Sequence, residues 1–411
     1  MRVLFTTYPE PTVFQPMVPL AWALRTAGHE VRVAAQPLFA DTVTAAGLTA
    51  VPAGRERTNT WRRLLSLDPA EAEADRAGLP SPYDAAVRPV EDRAELCAGY
   101  ERMIEHGHKL NNFALVPGLV EFARAWQPDL VIWEATTYAG AIAAKACGAA
   151  HARFLWSLDV FGVTRQRFRA LGPGPDPLAD WLGAYGRKYG FEFGEDLVTG
   201  ELTLDALPAS LRLDANLDYR SMRYVPYGGP ASVPDWLRRR PDRPRIGLTL
   251  GTSATEQFAG YTVSVAEILA ELSTLDVEVV ATVADSAALG PIPDNARVVP
   301  FVPLDALAPT CDVVIDHAGP GTFLTVARHG VPQLTVPWTF DEPELAARAA
   351  AQGGSLTLPG DRATPTAVRE HVLRLLTEPG FRDRAAALRK EIHALPAPND
   401  LVTELEEFTA R

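Results

Sequence analysis

The segment Asp316-His317-Ala318-Gly319-Pro320-Gly321-Thr322 carries the residue types that a bound phosphate needs. It follows the β-rich run Val313-Val314-Ile315 and opens an apolar stretch reaching His329, so its glycines fall at a strand-to-helix turn. Gly319 and Gly321 let the backbone approach a ligand closely. A helix start behind them presents free N–H groups and about half a positive charge. His317 adds a directional donor and Thr322 a hydroxyl. The lysine of a P-loop is missing, and the spacing is not the G-x-G-x-x-G of dinucleotide sites. The same residues also suit a structural turn around a core histidine, and both readings stand at this point. A second small-residue loop, Gly251-Thr252-Ser253, follows the run Leu248-Thr249-Leu250. Two such loops at strand ends favour a diphosphate.

Carboxylates at other strand ends are candidates for moving a proton. Glu134 follows Leu130-Val131-Ile132-Trp133, Asp159 follows the run 151–155, and Glu10 lies in the first loop. Asp159 also suits the role of a helix cap. The aromatics Tyr8, Phe14, Trp133, Tyr138, Trp156 and Phe161 fall around the same strand ends and can wall a pocket for a flat apolar ligand, or lie in the core. His106 and His108 sit in a variable stretch within reach of such a cleft, whereas His29 and His151 read as structural.

The elements that must position these groups alternate. Strands are expected at 3–7, 31–35, 48–51, 129–133 and 151–155, with helices at 17–27, 39–46 and 138–147. The pattern weakens over 54–110 into polar, proline-punctuated sequence, read as an insertion on the ligand-binding side. Between 208 and 244 come seven Gly and Pro positions from Pro226 to Pro244 and the run Arg238-Arg239-Arg240, which mark a linker. Alternation then restarts, with strands at 246–250, 277–283, 297–299, 313–315 and 334–336 and helices at 261–272, 344–352, 365–376, 381–395 and 400–411. Alternating βα units imply parallel sheets covered on both faces, here two Rossmann-like domains in series. The expected division is 1–207, a linker at 208–244, 245–395, and a final helix at 396–411 returning to the first domain.

Length and composition agree with two globular domains: 411 residues, 47% hydrophobic and 22% charged. Lys and Arg number 39 against 51 Asp and Glu, a formal charge of −12 that argues against nucleic-acid or anionic-membrane partners. Cys97, Cys147 and Cys311 are too few and too far apart for a disulfide framework. With no signal peptide and no apolar run of membrane length, a cytoplasmic protein is expected.

The C-terminal half resembles the GT-B nucleotide-sugar glycosyltransferases that decorate antibiotics and other natural products. The N-terminal half is similar through MVPLAWALRTAGHEVRVA, AAGLTAVP and PDLVIWE, and the stretches MRYVPY and VPDWL are closest to macrolide and anthracycline deoxysugar transferases. The resemblance covers nearly the whole chain outside 54–110. It implies a GT-B fold with two sheets facing across a cleft, a TDP-deoxysugar donor and a hydrophobic polyketide or macrolide-like acceptor. Phe301-Val302 stands where that family stacks an aromatic on the base. His317, Gly319, Gly321 and Thr322 stand where it holds the diphosphate, and Asp341 and Glu342 where it grips the sugar. An inverting O-glycosyl transfer is implied. No metal is expected, since Asp-x-Asp does not occur.

Two positions depart from the family pattern. Asp316 replaces one of a histidine pair, and its side chain is expected to point away from a diphosphate. Val13 stands where O-glycosylating relatives commonly carry a histidine base, and some C-glycosylating relatives have a similar Thr-Val-Phe there. Asp159 is the favoured substitute base because relatives carry an acid nearby. C-glycosylation of an aromatic polyketide, a catalytically silent homologue that binds nucleotide or a partner transferase, and a nucleotide-sugar epimerase are the alternatives. Some relatives also need an auxiliary activator protein, and a homodimer is a further possibility that the resemblance raises.

Overall fold

The computed structural model describes residues 1–56, 78–239, 241–251, 263–337 and 339–410. Thr252 and Ser253, which were expected to cradle phosphate, lie outside the described residues.

The first sheet is formed by β1 (Arg2–Thr6), β2 (Glu30–Ala35), β3 (Thr49–Pro52), β4 (Leu130–Glu134), β5 (Ala150–Phe154), β6 (Leu202–Asp205) and β7 (Tyr219–Ser221). Its order is β3-β2-β1-β4-β5-β6-β7 and every pairing is parallel. The second is formed by β8 (Arg245–Thr249), β9 (Glu278–Thr282), β10 (Ala296–Val299), β11 (Val313–Asp316), β12 (Gln333–Thr335) and β13 (Ser355–Thr357). It too is parallel, in the order β10-β9-β8-β11-β12-β13. Strands covered by helices on both faces must be apolar throughout, and β4 and β11 are buried at every position. Strand order reverses between β1 and β4 and again between β8 and β11, and crevices beyond the carboxyl ends at such points bind ligands. The loops singled out above leave the sheets at those two places.

Two boundaries differ from the sequence expectation. β7 pairs with β6 in register Leu204 to Arg220, so the first sheet runs past residue 207 into the stretch read as linker. Tyr219-Arg220-Ser221 is too short and polar to announce an edge strand. The 54–110 stretch is not simply a polar insertion either. Among its described residues, Tyr83, Leu96, Tyr100 and Ile104 are buried, and the helix Arg93–Met103 carries two of them into the main core.

That core continues across the two domains. Tyr138, Phe161 and Phe168 of the first belong to one buried cluster with Phe323, Leu324, Leu345 and Leu388 of the second. The helix Leu401–Thr409 packs Leu401, Val402 and Leu405 against the other face of the first sheet, with Val3, Phe5 and Leu20. His29 receives that helix through Glu406 at 3.0 Å. Among the described residues, no helix is long and apolar enough to cross a membrane.

Candidate active site

β11 ends on Asp316, which is fully buried. Its Oδ1 accepts the Ala318 N–H at 2.7 Å, turning the chain so that Ala318 takes a left-handed φ of 64°. Burial pushes the Asp316 carboxyl up to about 7, and Oδ2 makes no hydrogen bond. Gly319 then caps the helix Pro320–Ala327, with proline at its first turn.

The His317 imidazole rests against glycine backbone. A Cβ on Gly319 would come within 2.2 Å of Nε2, and one on Gly251 within 2.7 Å of Cε1. Any side chain at either place would displace the ring. On its open side Nε2 faces the Glu342 carboxylate at 3.7 Å, and the side chain is 15% exposed. A core histidine would have aliphatic neighbours; this one has two glycines and a carboxylate. Burial lowers its pKa to about 4, so it is a neutral imidazole at pH 7. Thr322 is half-buried in the first turn of the helix, and the Gly321 carbonyl accepts from Thr325 at 2.7 Å and Tyr224 at 3.3 Å. Phe301 is 58% exposed while Val302 beside it is buried, which leaves a ring free on the surface and its neighbour anchoring the loop.

Asp341 precedes the helix Glu342–Gln352. It is buried, its pKa is raised to about 6 by that burial, and the neighbouring Ser157 hydroxyl and Leu158 backbone oppose the rise. Ser157 and Leu158 belong to the loop after β5, so this carboxylate lies where the two domains meet. Glu342 accepts the Thr339 N–H at 2.9 Å.

On the opposite side of the cleft the carboxylates behave differently from expectation. Asp159 is not available as a base. Both oxygens receive the fully buried Arg153 guanidinium, at 3.0 and 2.5 Å, while the Gly162 N–H and the Tyr219 hydroxyl donate at 2.8 and 2.7 Å. It caps the helix Val160–Ala170 and ties β5 to β7. Glu134 is fully buried and accepts from the Thr136 N–H and hydroxyl at 3.0 and 2.6 Å and from the Thr137 hydroxyl at 2.5 Å. Burial raises its pKa while the Thr136 and Thr137 donors oppose the rise, and those donors tie it into the turn after β4. Glu10 lies in the loop after β1 with the Thr12 hydroxyl 3.4 Å from Oε1.

The aromatic set divides. Phe14 belongs to the core against Phe39, with ring centroids 5.6 Å apart. Trp133 is fully buried and donates to His151 at 3.2 Å; Tyr138 is buried between His108 and Trp181. These three are core, not pocket wall. His108 likewise turns inward, meeting the Tyr83 hydroxyl, and burial lowers its pKa to about 3, whereas His106 is exposed. Tyr8 is buried and Val13 half-buried in the first loop. Trp156 and Phe161 remain at the domain boundary, joined there by Tyr83 and Phe340.

Residues 22–251 match the family described as Erythromycin biosynthesis protein CIII-like, N-terminal domain, and residues 266–408 match the corresponding C-terminal domain. The chain belongs to this family. It is 44% identical over 426 residues to 10-deoxymethynolide desosaminyltransferase of Streptomyces venezuelae, spanning 100% of this chain and 98% of that one. It is 41% identical over 433 residues to tylactone mycaminosyltransferase of Streptomyces fradiae, spanning 100% and 93%. Among solved structures, glycosyltransferase VinC in complex with dTDP superposes with a TM-score of 0.86 at 39% identity, and spinosyn forosaminyltransferase SpnP with 0.84 at 40%, each over the full length of both chains. The protein is a glycosyltransferase of the GT-B fold.

Within this glycosyltransferase, the residues missed in the sequence are those whose role depends on the other domain or on burial. Arg153 reads as one charge inside an apolar strand, and its partner Asp159 gives no local cue. Phe340 stands directly before the acid pair Asp341-Glu342, yet nothing in its own stretch says that the first domain would receive it.

Proposed function

We propose that this glycosyltransferase moves a deoxysugar from a TDP-sugar to a hydroxyl of a polyketide-type aglycone, with inversion and without a metal. The observation that carries the reading is the slot in which Gly251 and Gly319 hold His317 at the β8/β11 switch point. Two relatives at 41–44% identity, named for desosaminyl and mycaminosyl transfer, support the substrate class, and the dTDP bound to VinC supports the nucleotide.

In this reaction an acceptor oxygen attacks the anomeric carbon. The bond to the TDP oxygen breaks, its electron pair leaves with the diphosphate, and the acceptor proton passes to a base. Negative charge grows on the departing oxygen. The N–H of a neutral His317, the Thr322 hydroxyl and the amides opening the helix Pro320–Ala327 oppose that charge, and donors placed in advance spare reorganisation. The ring of Phe301 stacks on thymine, and Asp341 and Glu342 take sugar hydroxyls. Gly251, and Thr252 and Ser253 after it, complete the diphosphate cradle. Glu10, which follows β1 and directly precedes the short helix Pro11–Phe14 that carries Val13, is assigned the proton. Tyr8, Val13, Trp156 and Phe161 face the acceptor.

Val13 supports a second reading. An electron-rich aromatic carbon can attack without a histidine beside it, which would give a C-glycoside. We assign the enzyme to the cytoplasm, a reading that its three free cysteines support.

The test combines the purified protein with TDP-deoxysugars and a panel of macrolactone and anthracyclinone aglycones, with and without EDTA. An acid-labile product of inverted configuration, unaffected by EDTA, is the expected result. An acid-stable product selects C-glycosylation. Nucleotide binding with no product, even after adding an auxiliary protein of the kind some relatives need, overturns the transferase reading. The mass of the active species in solution decides between monomer and homodimer.

A further inference from the structure

Phe340 belongs to the donor domain by sequence, in the loop after β12, but its ring lies among aromatics of the other domain. Its centroid is 6.0 Å from Trp156 and 6.1 Å from Phe161, tilted 33° from each, and 6.5 Å from Tyr83 at 71°. Tyr83 and Phe161 in turn meet edge to face at 4.7 Å. These separations and angles are those that aromatic quadrupoles favour. The backbone is held against its preference to achieve this, with φ at 50° in a residue that has a Cβ. A left-handed phenylalanine persists only where its surroundings dictate it.

Of the next two residues, only Glu342 turns back toward the donor domain. Asp341 lies against Ser157 and Leu158, and Glu342 faces His317 at 3.7 Å. One three-residue turn therefore reaches the diphosphate slot with its last member and the aromatic wall of the first domain with its first. Between them, Asp341 and Ser157 are both buried and bring the two domains together.

We infer that Phe340 is an acceptor-recognising residue supplied by the donor domain: with the half-buried Trp156 it forms an aromatic lip over the buried Tyr83 and Phe161 and sets which planar or macrocyclic aglycones fit. This rests on the transferase reading above.

The experiment compares wild type with Phe340→Ala and Phe340→Leu. Aglycone binding is read by quenching of tryptophan emission with and without TDP, TDP affinity by calorimetry, and acceptor KM by turnover. Loss of the ring is expected to weaken aglycone binding and raise acceptor KM about tenfold, with Phe340→Leu between the two and TDP affinity unchanged. The ranking of aglycones should change as well. Unchanged or improved acceptor binding in Phe340→Ala overturns the inference, since the ring would then be a plug. A parallel fall in TDP affinity also overturns it, since Phe340 would merely prop the Asp341-Glu342 turn. A wild type that binds aglycone but never transfers sugar sinks the transferase reading alone, because the binding comparison still stands. A wild type that binds TDP but no aglycone sinks both.

Discussion

Nε2 of His317 lies 3.7 Å from a carboxylate oxygen of Glu342, and both side chains are mostly buried. The group assigned to a diphosphate thus has an acid for a neighbour. A negative charge a few ångströms from a multiply charged ligand opposes binding by about 1 kcal/mol even at the dielectric of bulk water. Glu342→Gln should therefore tighten TDP roughly three- to tenfold, and the gain should shrink as salt is raised. His317→Ala should weaken TDP by roughly ten- to a hundredfold, the loss of a hydrogen bond to a charged group. Titration calorimetry checks both, and weaker binding by Glu342→Gln would mean that the carboxylate itself holds the ligand.

Asp316 connects the same turn to stability. Its carboxyl stands at about 7 in the folded protein against an ordinary 3.8, because burial penalises the charged form. The folded state keeps a proton that the unfolded chain gives up, so stability falls as pH rises from about 4 to about 7, by at most about 4 kcal/mol. Asp316→Asn retains the acceptor for the Ala318 N–H and removes the charge. The variant should melt several degrees above wild type at pH 8, and the difference should vanish near pH 4. Equal melting temperatures at pH 8 would contradict the buried ionisation.

What the sequence disclosed and what it concealed divide by the range of the contact. β1, β2, β4, β8 and β11 are apolar runs ended by turn residues, and the helix Tyr138–Cys147 carries its own period and its Gly148 cap, so each is legible locally. The His317 turn is legible for the same reason, since glycine spacing after a strand is a local signature. β6 and β7 were hidden because Leu202-Thr203-Leu204-Asp205 and Tyr219-Arg220-Ser221 are short and carry polar residues. The fate of Asp159 depended on a buried arginine on the preceding strand, and that of Tyr138 on His108 and Trp181, contacts that no periodicity encodes.

The Arg153–Asp159 pair offers a direct test of structural against catalytic use. Both side chains are fully buried, and the carboxylate also receives Tyr219 and the Gly162 amide. Removing one member of such a pair leaves a stranded charge and costs about 3–5 kcal/mol. Asp159→Ala should lower the melting temperature sharply, and turnover should fall only as far as the folded fraction, measured by TDP binding. The shape of the pH–rate profile should be that of wild type. A fully folded variant with kcat reduced a hundredfold or more would restore Asp159 as the base.

Phe301 separates base recognition from phosphate recognition. With 58% of its surface exposed and Val302 buried beside it, the ring contributes little to the fold, so Phe301→Ala should leave the melting temperature near that of wild type. Stacking of a base on an aromatic ring is worth about 1–3 kcal/mol. TDP affinity should accordingly fall roughly five- to a hundredfold, with Phe301→Trp close to wild type. Inorganic pyrophosphate lacks the base and reaches only the His317 slot, so its affinity should not change. Equal losses for TDP and pyrophosphate would show that Phe301 acts by shaping the diphosphate loops, and would remove it from the nucleotide site.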